Sequence, residues 1–216
     1  MRRLKLTYLV LFATTVIFSG CSFKSAGEAY DKSAQYWFQK IGDSISNGDL
    51  DKADNYFISL KSENPKSPLV ESATMIIAHA HMEGEEYLLA NYFFDEYTKK
   101  FGGFANSEYV EFMKIKASFL GIQKYYRDQK LIIDTIASSQ SYIDAHPNSQ
   151  YVPLVQNMLI RLKMSQYLLN ENVACLYDRT GKSDAAKIYR EKNSASPINM
   201  NDICMPEDGI LDYFIN

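Results

Sequence analysis

Three stretches of this chain share one spacing. Ala53, Phe57 and Pro65 stand four and eight residues apart, and Ala90, Phe94 and Gly102 repeat those steps, as do Ala185, Tyr189 and Pro197. A small residue and an aromatic four positions later lie on one face of a helix, and a Pro or Gly eight further on ends it. Upstream of the first set, Trp37 lies sixteen residues before Ala53, with Asn47-Gly48 as a break between them and Asp49 placed to cap a second helix. The pattern predicts pairs of helices. Trp37 fills the space between two of them, and Ala53 is small because the second helix must approach the first closely. A degenerate copy ends at Tyr142 and Pro147. The breakers Pro65, Gly102, Pro147 and Pro197 are 37, 45 and 50 residues apart, so longer helices or insertions separate the units.

Large aromatic, Gly turn, Ala, aromatic and Pro is the order of the tetratricopeptide repeat, a helix-turn-helix unit of about 34 residues. One such unit cannot bury its apolar face alone, so neighbours stack into a superhelix with a concave surface. The expected fold is all-α, about four repeats over residues 29–197, followed by a tail over 198–216. An unrelated helical bundle is the alternative.

The segment ahead of Cys21 reads as a bacterial export signal. Arg2, Arg3 and Lys5 give it a basic start, and an apolar run follows from about Leu6 to Phe18. About 13 residues are too few to span a bilayer and suit a signal peptide. Phe18-Ser19-Gly20-Cys21 resembles the lipobox of bacterial lipoproteins, where small residues admit a signal peptidase and the thiol carries a diacylglycerol. Phe18 stands where Leu is most usual. The expected anatomy is a signal peptide over 1–20 and a lipidated tether over 21–28, with covalent lipid on Cys21 and no other cofactor. Ser22 replaces the Asp that favours inner-membrane retention in such proteins. The expected location is therefore the outer membrane, lipid-anchored and facing the periplasm. No later run of about 18 apolar residues would cross a bilayer, so membrane residence falls to the lipid.

The leader takes three of the chain's 23 basic residues with it, leaving 20 against 26 acidic ones. A balance this acidic has no electrostatic footprint for nucleic acid. Two cysteines remain, Cys175 and Cys204. In an oxidising periplasm they either pair, tying the tail to the helix of Cys175, or stay a buried thiol and an incidental one.

No catalytic constellation is present: there is no Gly-X-Ser-X-Gly, no His-Glu-X-X-His, no Cys-X-X-Cys and no phosphate-cradling glycine loop. His79 and His81 are two apart and point to different helix faces, so no metal site is expected. Glu83, Glu85 and Glu86 read as a solvated turn. In the repeat frame the concave side of the first helices carries Phe38, Met75, His79, Met82, Lys124 and Arg127. Aromatic and thioether groups suit the apolar side chains of an extended peptide, and the two cations suit a carboxylate. Core filling is the other reading of Met75 and Met82.

Several local motifs resemble those of the BamD family, lipoproteins of the β-barrel assembly machine. His146-Pro147-Asn148-Ser149-Gln150-Tyr151 is similar to the family's step between the third and fourth repeats. Arg127-Asp128-Gln129 resembles its turn opening the second helix of the third repeat. Asn64-Pro65-Lys66-Ser67-Pro68 resembles the end of its first repeat. The helix from Leu159 through Tyr177, with Arg161-Leu162, matches in pattern. The resemblance runs from about Ala29 to Pro197. It implies a non-enzymatic scaffold that helps fold and insert outer-membrane β-barrel proteins. It also implies two partners: unfolded barrel precursors and a BamA-like β-barrel subunit. Members commonly have a fifth repeat, whereas Pro206, Asp208 and Gly209 make a further helical hairpin here unfavourable. The family's gripping surface for the barrel subunit then falls on the fourth repeat, with Arg161, Asp178, Arg179 and Lys182 as its polar rim and Ile210 to Ile215 as a docking tail. The competing function is a tetratricopeptide lipoprotein scaffold of another kind. That would be pilotin-like in secretion or pilus assembly, or a coordinator of peptidoglycan and cell division.

Overall fold

The structure, a computed structural model, describes residues 30–102 and 107–194. The chain divides after Lys32 into two units, and the repeats lie in the second. Cys21, the 21–28 tether, Pro197, Cys204 and the 198–216 tail fall outside the described residues.

Among the described residues there are eight helices and no strand: α1 (Ala34–Ser46), α2 (Leu50–Glu63), α3 (Pro68–Glu83), α4 (Tyr87–Phe101), α5 (Ser107–Leu120), α6 (Gln129–Ala145), α7 (Val152–Arg179) and α8 (Ser183–Ser194). They form four successive pairs. Each helix packs on the next, and first helices also meet across pairs, α1 on α3 and α5 on α7. This is the all-α, tetratricopeptide-like arrangement that the spacing predicts.

Side chains start the helices. Ser33 accepts from the Tyr36 N–H (3.3 Å), Asp49 from Lys52 (3.1 Å) and Ser67 from Leu69 (3.2 Å), with Pro68 at the first turn of α3, where a missing N–H costs nothing. The turns inside the first, second and fourth pairs are the same. The N–H groups of Asp49, Glu86 and Lys182 reach back to the carbonyls of Ser44, His81 and Tyr177 at 2.8–2.9 Å. The residue before each sits at positive φ: Gly48 (73°), Glu85 (60°) and Gly181 (74°). In the second pair a glutamate thus holds the left-handed position. Gly84, one residue earlier, has an ordinary φ of −77°. Its role is close approach, since a Cβ there would meet Leu50 Cδ1 at 2.9 Å.

These turns set the register of the second helices. The N–H groups of Ala53, Ala90 and Ala186 bond the carbonyls of Asp49, Glu86 and Lys182, and all three alanines are fully enclosed. Seven residues on, Leu60, Tyr97 and Asn193 are buried as well. The last repeat therefore corrects the sequence frame by one residue. Ala186 meets the first helix, and Ala185 is only half-buried. The turn fixes which residue faces inward, and the position of Pro197 does not. Tyr189 still packs against Tyr177 of α7, with ring centres 5.7 Å apart.

Trp37 fills the first pair as its spacing requires. Its ring lies 5.8 Å from Tyr56, and its indole N–H donates to Glu63 at 2.8 Å. Phe57 against Phe93 joins the first pair to the second. Beside them Glu96 accepts from Lys61 (2.8 Å) and Lys100 (2.9 Å). Burial alone would raise the Glu96 carboxyl pKa, but the two ammonium groups outweigh it and hold it low. The His146-to-Tyr151 motif folds as a turn tied to α6, the Tyr142 hydroxyl meeting Ser149 Oγ at 2.7 Å.

Candidate functional site

Met75, His79 and Met82 follow one another at helical spacing on α3, and all three are half-buried. His79 fixes this face to its neighbours. Its Nε2 lies 3.1 Å from the Tyr109 hydroxyl on α5, and its ring meets Phe94 edge-on at 5.6 Å. Tyr109 lies 5.8 Å from Tyr151, and Tyr151 stacks on Phe112 at 4.5 Å. An aromatic run thus passes from α3 across α5 to the start of α7. Burial lowers the His79 pKa, Glu83 opposes it and Lys116 adds to it, with a net downward shift. A neutral imidazole, which this shift favours, can accept a hydrogen bond from the Tyr109 hydroxyl. The Tyr109 hydroxyl is pushed up by burial and by Tyr151, so it keeps its proton. The face holds polarizable thioethers and aromatic edges and carries no charge at its centre. It suits apolar side chains of varied shape.

Phe38 is half-buried on α1, the helix that packs on α3. Lys124 and Arg127 are placed elsewhere. They are exposed in the α5–α6 turn, where Lys124 lies 6.0 Å over the Tyr126 ring and Arg127 is 3.6 Å from Asp128. Asp128 accepts from the Lys124 and Gln123 N–H groups, and the first of these is the main reason its carboxyl pKa is lowered. Arg127 borders a depression with Glu85, Leu88, Leu89 and Leu131, apart from the His79–Tyr109 contact.

The four rim residues do not form one patch. Asp178 is bound to Arg190 of α8 at 2.6 Å, and Arg179 and Lys182 are exposed around the α7–α8 turn. Arg161 is eighteen residues before Arg179, roughly 27 Å along the helix. Cys175 is exposed, which corrects the reading of it as a buried thiol.

Two features escaped sequence reasoning. Arg161 borders a groove of about 260 Å³ between α5 and α7, floored by Phe112, Leu120, Leu154 and Met158, with Lys116 on the opposite rim. The signal was a second stripe on α7. Leu154, Met158 and Arg161 each stand one residue ahead of the core residues Val155, Leu159 and Leu162. The second feature is His81, fully enclosed and stacked on Phe93 with ring centres 5.2 Å apart. Its Nε2 lies 3.0 Å from Asp54 and its Nδ1 2.5 Å from Glu86. Glu86 lies in the exposed turn, as the sequence suggests, and is in addition a structural partner of His81.

Among the described residues no group of three His, Cys, Asp or Glu side chains could hold a metal, and no helix is long and apolar enough to cross a membrane.

Comparison with known proteins places this architecture. Residues 30–190 match the model of the YfiO family, described as outer membrane lipoprotein. The chain is 36% identical over 193 residues to the outer membrane protein assembly factor BamD of Helicobacter pylori, covering 89% of this chain and 88% of that protein. It is 22% identical over 145 residues to the BamD of Caulobacter vibrioides, covering 66% of this chain and 47% of that longer protein. With the family model matching from Tyr30 to Arg190 and the first relative matched over most of both lengths, this chain belongs to the YfiO/BamD family of outer membrane lipoproteins.

Proposed function

We propose that this protein is an outer-membrane assembly lipoprotein, a non-enzymatic scaffold that helps fold and insert β-barrel proteins. The observation that carries the reading is its likeness to an assembly factor along most of both chains. The geometry supports it in kind. A stack of helix pairs presents a face of aromatic and thioether groups around Met75, His79, Tyr109 and Tyr151. Such a face binds by burial and shape. Lipid on Cys21 holds the stack at the periplasmic side of the outer membrane, and no other cofactor is needed. The partners are unfolded barrel precursors at Met75, His79 and Met82, with Phe38 extending the face, and a BamA-like subunit towards the fourth pair around Arg179 and Lys182.

Two experiments test this. Photo-crosslinkers at Phe38 and His79 are expected to capture barrel precursors well above the level from exposed Lys130. Equal capture overturns the client face. Gentle detergent extraction is expected to co-purify a β-barrel subunit with the wild-type chain and much less with Arg179→Glu. Recovery of a secretin or pilus component in its place would establish the competing scaffold role.

A further inference from the structure

The α5–α7 groove is apolar in its floor and cationic at its rim. Leu154 is 54% exposed and Leu120 39% exposed, with Phe112 and Met158 between them. Lys116 and Arg161 flank it, and neither makes an ion pair with a described residue. The cations of the last helix are engaged: Arg190 holds Asp178 and Glu171, Lys187 pairs with Asp184, and Lys192 sits 4.0 Å over Tyr189. Arg179 and Lys182 lie at the far end of α8 from Ser194.

The chain beyond Ser194 has the complementary character. Residues 195–216 contain Asp202, Glu207, Asp208 and Asp212 and no Lys or Arg, and Ile210, Leu211, Tyr213, Phe214 and Ile215 surround Asp212. The exit point is favourable too. Asn193 donates to the Tyr167 carbonyl at 3.1 Å and to Glu171 at 2.9 Å, and accepts from Asn170 at 2.9 Å. The chain therefore leaves α8 beside the middle of α7. From Tyr167 to Leu154 is roughly 20 Å along that helix, and its width is about 10–12 Å. The fifteen residues from Ser194 to Gly209 can span up to roughly 50 Å, enough to pass round α7 with slack.

We propose that residues 207–215 of this chain dock into its own α5–α7 groove, with the apolar side chains on Phe112, Leu120, Leu154 and Met158 and the carboxylates against Lys116 and Arg161. The groove is then covered in the resting protein, and any other occupant must displace the tail.

The test uses the full mature chain in detergent, with benzoylphenylalanine at Phe214. Irradiation is expected to give an intrachain crosslink to peptides carrying Leu120, Leu154 or Met158. Lys116→Glu with Arg161→Glu is expected to lower its yield at least fivefold, and adding Asp212→Lys to recover part of it. If the double reversal lowers helicity, Lys116→Gln with Arg161→Gln is expected to lower the yield about threefold. A crosslink to the outer face around Leu176 and Ile188, a crosslink to a second copy, no crosslink, or a yield indifferent to rim charge each overturns the proposal.

Discussion

His81 on α3 and Asp54 on α2 meet across two helix pairs, imidazole Nε2 to carboxylate at 3.0 Å, while Glu86 takes the other ring nitrogen. A ring with both nitrogens on carboxylates satisfies both only as the imidazolium, which donates twice. Burial on its own would lower the His81 pKa, but the hydrogen bonds and charges of Asp54 and Glu86 raise it.

Stability should follow that charge. A raised folded-state value means the contribution is full below the unfolded value of about 6.5 and is lost as pH climbs through the folded one. The wild-type chain is thus expected to weaken on the alkaline side. His81→Gln should cost about 1.5–3 kcal/mol in acid, towards the lower figure because Glu86 is half-exposed, and less at higher pH. Denaturant melts of both proteins at about pH 6 and about pH 9 read this. A deficit that widens with pH would exclude the charged form.

Glu85 occupies the left-handed position that Gly48 and Gly181 fill in the equivalent turns. A side chain there is strained, so Glu85→Gly should stabilise by roughly 0.5–1 kcal/mol, net of the looser unfolded chain. Gly181→Ala should destabilise by a similar amount. Melting temperatures moving in opposite directions for the two variants support the shared turn.

Ala186 is fully enclosed and Ala185 is not. Ala186→Leu should overpack the α7–α8 contact at a cost of roughly 1–3 kcal/mol, whereas Ala185→Leu should cost well under half of that. Equal losses by denaturant titration would contradict the register given by the Lys182 carbonyl.

Cys21→Ala should abolish acylation and leave the protein unprocessed or released from the membrane. Continued palmitate labelling of the variant in the outer-membrane fraction would locate the anchor elsewhere.

The helix pairs were legible because packing repeats. Ala53 and Ala90, with Phe57 and Phe94 four residues on, mark places where two helices leave no room for larger groups. The last pair slipped by one residue because Ala185 and Ala186 are adjacent and equally small, so only the turn at Gly181 distinguishes them. Glu85 was hidden because Gly84 offers the obvious turn residue and is used for proximity to Leu50 instead. His81 could be placed on another face from His79, but its partner Asp54 comes from α2, 27 residues away, a distance in sequence that no local pattern spans. The α5–α7 groove depends on two helices at once. Its stripe on α7 is visible in the sequence only when the core stripe beside it is already known.

The length of α7 has a mechanical consequence. Its 28 residues make a rod of about 42 Å. Val155, Leu159 and Leu162 are buried in its first half, and Ala174 is buried where α8 packs on the second. A rod packed at both ends couples the two. A tilt of about 10° about the α8 end corresponds to about 7 Å at the far end, a displacement that the buried Val155, Leu159 and Leu162 oppose. A load applied at the last repeat thus bears on the packing beside Tyr151 and the aromatic run beyond it.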